Sequence, residues 1–218
     1  MKKLLIILIF SLISLLISVP AIAVSYSFYH IFEEGDGPSE LANGTIGETQ
    51  LLLDVTQYNG SQIMFTFSNS GPYESSITDV YFDDDVPLLD FADTFSNVGT
   101  VEYSEGASPG DLSAGNLISF TSNYSFDSDP SVQPNGVNPG ESLGILFDYV
   151  GVDTDSNTVI AALNNGTMDI GIHVQGFADG GSESFTTTAP VPEPATMLLF
   201  GVGLIGIAGL GRRKLIKK

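Results

Sequence analysis

Carboxylates make up most of what this chain offers for chemistry. It has no cysteine and no tryptophan, and its histidines are His30 and His173 alone. Thiol catalysis, zinc–thiolate centres and disulfide staples are therefore excluded. Gly106-Ala107-Ser108-Pro109-Gly110 fits the G-x-S-x-G pattern of serine hydrolases. That pattern needs a backbone N–H from the residue after the nucleophile, and Pro109 has none, so the stretch reads as a tight turn. His173 alternates with Ile172 and Val174 and shares its strand face with Gly171 and Gln175, which makes it a polar-face residue. His30 lies near the front of the chain, where segments are commonly loosely held.

Metal binding by hard oxygen ligands is the more natural use of these residues. Asp153-x-Asp155-x-Asn157 begins like an EF-hand loop, but Thr158 stands where glycine is required and Asn164 where the bidentate glutamate belongs. Asp83, Asp84 and Asp85, together with Asp127 and Asp129, remain as candidate Ca²⁺ ligands. Neighbouring strand residues point to opposite faces, so three consecutive aspartates converge on one ion only if the chain turns there. A solvated acidic loop fits the same residues. A glycosidase also needs only two carboxylates, but with so many present the existence of a pair carries no information. No catalytic residue is assigned and the chain is expected not to be an enzyme. Sugar-binding modules usually stack their ligands on aromatics, and eight tyrosines with no tryptophan weaken that reading without closing it. Four Asn-x-Ser/Thr sequences begin at Asn43, Asn59, Asn123 and Asn165, three of them Asn-Gly dipeptides that read as turns.

Charge placement narrows the partners. All seven lysines and arginines lie within residues 2–3 and 212–218, so residues 24–190 contain none. Of the 26 acidic residues only Glu193 lies outside that stretch, which leaves a body with a formal charge near −25. A body of this kind cannot neutralise phosphates, which excludes ordinary nucleic-acid binding, and it is repelled by anionic lipid. Carboxylates without cationic partners repel one another, a cost met by burial, by salt screening or by divalent cations. Solubility and easy export account for the same charge. A protease specific for lysine and arginine finds no site in this body.

Period-two alternation positions these residues. It recurs at Leu51, Leu53 and Val55; at Ile63, Phe65 and Phe67; at Val80 and Phe82; at Leu143, Ile145, Phe147 and Tyr149; and at Ile170, Ile172 and Val174. Each run predicts a strand with one buried face. Turn clusters such as Asn59-Gly60-Ser61 and Asn69-Ser70-Gly71-Pro72 separate them. The expected fold is all-β, a single antiparallel β-sandwich-like domain over residues 24–185. Only residues 156–163 look helical, with Asp155 or Ser156 as cap and Gly166 beyond the end. Thr186-Thr187-Thr188-Ala189-Pro190 reads as part of a Thr/Pro spacer over 186–191.

The two ends are addresses. Lys2 and Lys3, the apolar residues 4–19 and Ala21-Ile22-Ala23 form the three parts of a secretory signal peptide spanning 1–23, with cleavage after Ala23. A retained N-terminal membrane helix is the alternative. At the other end Val191-Pro192-Glu193-Pro194 is followed by an uncharged stretch, 195–211, and then Arg212-Arg213-Lys214 in a basic end, 212–218. As a helix that stretch reaches about 25 Å, enough for a marginal membrane span. The basic end places Lys218 in the cytoplasm and the acidic body outside.

This order of parts resembles the PEP-CTERM sorting signal of exported bacterial proteins, with its Pro-Glu-Pro motif at 192–194. The resemblance implies export through the Sec translocon and recognition by exosortase, a membrane-embedded processing enzyme that removes the tail near the motif. It implies an inner-membrane-anchored precursor facing the periplasm and a mature form at the cell surface or outside. It also implies a host that makes exopolysaccharide, a possible partner. Stretches at 79–85, 136–144 and 170–185 resemble a body type recurrent among PEP-CTERM proteins. A plain C-terminal anchor fits the tail as well. For the body, a structural or adhesive surface role is expected, with a Ca²⁺-dependent carbohydrate-binding module as the alternative.

Overall fold

The alternating runs do form strands, and ten antiparallel strands make one sheet in a computed structural model that describes residues 23–191. In chain order they are β1 (Ala23–His30), β2 (Leu51–Gln57), β3 (Gln62–Asn69), β4 (Ser76–Asp84), β5 (Leu89–Val98), β6 (Tyr103–Glu105), β7 (Tyr124–Ser128), β8 (Ser142–Tyr149), β9 (Met168–Gln175) and β10 (Glu183–Val191). Their order across the sheet is β5-β8-β3-β2-β1-β10-β9-β4-β7-β6. Three α-helices, α1 (Pro38–Gln50), α2 (Val132–Asn135) and α3 (Ser156–Asn165), and a single 3-10 turn at Gly115–Leu117 lie between them.

Aromatic packing shows how the sheet folds over on itself. Phe82 on β4 meets Phe65 on β3 at 5.1 Å and Phe147 on β8 at 4.8 Å between ring centroids, so the two halves of the sheet face each other. Phe91 on β5 meets Phe126 on β7 at 4.8 Å, and Tyr124 donates its hydroxyl to the Leu89 carbonyl at 3.0 Å. The outer strands thereby approach, and the sheet is nearly closed. The edge-to-face rings suit their quadrupoles. The sandwich expected from the sequence is thus one sheet with its inner face doubled.

α3 matches its expectation. Asp155 accepts the Thr158 N–H at 2.9 Å as N-cap, and Gly166 ends the helix in the left-handed conformation at φ 72°. α1 was not expected, because the face it buries consists of Asn43, Gly44, Gly47 and Gln50. Its glycines allow a close approach to the sheet: a β-carbon on Gly47 would lie 2.2 Å from Phe185 Cζ. Gly47→Ala should therefore destabilise the domain by about 2 kcal/mol, because overpacking outweighs the helix-propensity gain. Gly60→Ala, with nothing within 4 Å of the added carbon, should change chemical denaturation by under about 0.5 kcal/mol.

Residues 106–121 lie across the outer face of β4 and β9, where Leu112 and Phe120 pack with Ile31 and Tyr81. This explains why all of β4 is buried rather than alternate residues only.

Candidate functional site

The strands at the middle of the sheet carry the first and last described residues, Ala23 and Val191. β1 pairs with β2 on one side, Ala23 opposite Thr56 and Ser25 opposite Asp54. On its other side it pairs with β10, Ser25 opposite Val191 and Tyr26 opposite Pro190. The point of expected signal cleavage and the point where the Pro-Glu-Pro sequence begins therefore leave the same rim. Antiparallel partners sit about 5 Å apart, so the two points are neighbours.

The Thr/Pro segment expected as a spacer is strand. Thr186 and Thr187 are buried, and the Thr187 hydroxyl oxygen accepts the Ile170 N–H at 3.3 Å. Threonine is β-branched and suits a paired strand, so a composition that reads as linker becomes sheet once β1 supplies a partner. β10 accordingly runs to Val191, through the segment expected as spacer. Ala21, Pro192, Glu193, Pro194, Arg212, Arg213, Lys214 and the expected span 195–211 lie outside the described residues. No helix among the described residues is long and apolar enough to cross a membrane.

The candidate metal ligands are not brought together. Asp83 accepts the Thr121 N–H at 2.7 Å, whereas Asp84 accepts those of Leu88 and Leu89 at 2.7 and 3.2 Å. Each carboxylate therefore fastens a different loop. Asp85 is exposed in the bend that follows β4. Asp127 lies opposite Asp79 on β4, while Asp129 accepts the Ser104 hydroxyl at 2.8 Å. Among the described residues no group of three or more His, Asp or Glu side chains could hold an ion.

The Asp79–Asp127 pair was not singled out from the sequence. Burial pushes Asp79 up to about 6; the Thr78 hydroxyl, donating at 2.9 Å, opposes that, and Asp127 reinforces it. Burial and Asp129 raise Asp127 as well. Asp79 is only 5 % exposed, which withholds it from any large substrate.

Both histidines are structural in their surroundings. His30 is buried in β1, ordered rather than loose, because it follows Tyr26 and Phe28 on the inward-facing side. Its Nε2 lies 2.9 Å from Glu183, whose other oxygen accepts the Asn43 amide at 3.4 Å. His173 faces Ser184 at 3.4 Å, and burial lowers its pKa. With Tyr81, Pro109 and Ser113 it lines a cavity of about 130 Å³. The Pro109 carbonyl accepts the Tyr81 hydroxyl at 3.1 Å, so the Ser108 turn closes over β4.

Asp83 and Asp84 fasten loops, and a further feature is the rim where β10 ends. A model of the PEP-CTERM protein-sorting motif matches residues 190–214. The chain carries that sorting motif. It marks an exported, membrane-anchored precursor that exosortase processes to the surface. The motif begins inside the fold: Pro190 and Val191 belong both to it and to β10. No curated protein and no solved structure matches the chain.

Proposed function

We propose that this protein is a non-enzymatic, acidic component of the bacterial surface or extracellular matrix, delivered through the Sec translocon and released from its tail at 192–194. The observation that carries this reading is the sorting motif placed directly on a central strand. The body supports it in two ways. Its side-chain clusters are engaged in holding loops, and its uncompensated charge suits a hydrated, cation-rich matrix of exopolysaccharide better than a tight complex with another acidic surface. The precursor faces the periplasm, with the basic end in the cytoplasm.

Replacing Glu193 and Pro194 by alanine in the native host tests the processing step. The variant should keep its tail and accumulate in the inner membrane, with the surface pool lost. Normal release of the variant would remove the motif from the mechanism and leave the tail an ordinary anchor.

A further inference from the structure

We infer that the precursor's domain stands rim-down on the bilayer surface, strands upright, with the loops beside the β1–β10 ends touching the lipid headgroups. The inference rests on the membrane-anchored precursor and not on the proposed matrix role.

The length of chain outside the structure sets the posture. Val191 is the last residue of β10, and the uncharged run begins at Ala195. Four extended steps reach at most about 14 Å. Headgroups occupy about 5–8 Å of that on each side of the hydrocarbon. A domain on so short a tether cannot hang free. β10 is locked between β1 and β9, so its direction is fixed by the whole sheet rather than by one hinge.

The strand register identifies the loops at this rim. β1 starts and β10 ends here, and so do the β2–β3 turn, the β4–β5 loop and the β8–α3 connection. They are fastened to one another: Tyr149 donates its N–H to the Ser61 carbonyl at 3.0 Å and Val150 to that of Leu88 at 2.9 Å. Each carries an exposed apolar side chain, Tyr58 at 61 %, Val86 at 56 %, Val150 at 39 % and Val152 at 99 %. Exposed apolar residues also occur at the opposite rim, Tyr73 among them, and scattered ones are ordinary. What distinguishes the first rim is the tether that holds it at the membrane. Tyrosine and valine side chains suit the interface, while the acidic body is repelled by anionic lipid, so contact should be closest on zwitterionic bilayers.

The absence of cysteine permits clean single-site labelling. Tail-bearing precursor from a host lacking exosortase would carry Val152→Cys or Tyr73→Cys, labelled with a polarity-sensitive fluorophore, in phosphatidylcholine vesicles containing a headgroup-level quencher lipid. The Val152 probe should lose most of its emission and the Tyr73 probe almost none. A flexible Gly/Ser insert between Val191 and Pro192 should abolish the difference without altering circular dichroism. Equal quenching of both probes, or a difference that survives the insert, would overturn the proposed posture. Exosortase takes no part, so either result leaves the processing reading to its own test.

Discussion

Raising the pH from 4 to 7 should destabilise this domain, by on the order of 2 kcal/mol from Asp79 alone, allowing for partial access of solvent. Its pKa of about 6 in the folded chain stands above the 3.8 of an unperturbed aspartate. The folded state therefore holds the proton more tightly. The associated stability is complete below about 3.8 and is lost as pH rises through about 6. Asp83, Asp84, Asp127, Asp169 and Glu183 shift upward too, each chiefly by burial, and act in the same direction. Glu141 works against them, because hydrogen bonds from Thr100 and Asn138 outweigh the upward push of its burial. Urea denaturation at the two pH values reads the balance. Asp79→Asn should raise stability at pH 7 and flatten the profile. A domain more stable at pH 7 than at pH 4 would show that burial does not raise Asp79 as described. Salt should relieve the same repulsion at neutral pH.

The second large effect is Phe82→Ala, expected to cost about 4 kcal/mol. Phe82 is fully buried and meets Phe65, Phe67, Phe126 and Phe147 with centroid distances between 4.8 and 6.1 Å. Those four rings come from strands on both halves of the sheet, so the cavity left by its removal lies where the halves meet. A domain of this size is stable by only about 5–15 kcal/mol, and the loss is a large share of it. The urea midpoint should fall with little change in slope. Phe32→Ala, at 62 % exposure, should leave the midpoint nearly unchanged. Equal effects from the two would contradict the folded-over arrangement.

Legibility in the sequence followed the physics of burial. β2, β3, β8 and β9 were readable because one face of each is apolar and the other largely polar, as in Ile63, Phe65 and Phe67 against Gln62, Thr66 and Ser68. β4 was readable at Val80 and Phe82, but the burial of its outer side beneath residues 106–121 left no trace in the sequence. α1 left no periodic trace. Its contact with the sheet is made by glycines whose missing side chains are the reason it fits. β10 looked like a linker because threonine and proline serve both roles, and only the register with β1 decides between them.

The candidate site divided in the same way. The order of motif, apolar run and basic end was legible because each part is defined by composition. That Asp83 and Asp84 fasten separate loops follows the alternation of neighbouring strand residues. The Asp79–Asp127 pair was hidden, since it joins residues far apart in the chain through a strand pairing. His30 followed Tyr26 and Phe28 at two-residue spacing, a signal of burial present in the sequence and overridden by its nearness to the front of the chain.

Export, folding of a β domain and removal of its tail at the rim where β10 ends together make one central claim. The intact mass of the mature protein, recovered separately from the envelope and the medium of its native host, tests that claim most directly. A mass beginning at Val24 and ending within 192–194, with any excess reporting an attached group, is the expected result. A mass that still includes Lys218, found only in the inner membrane, would contradict it.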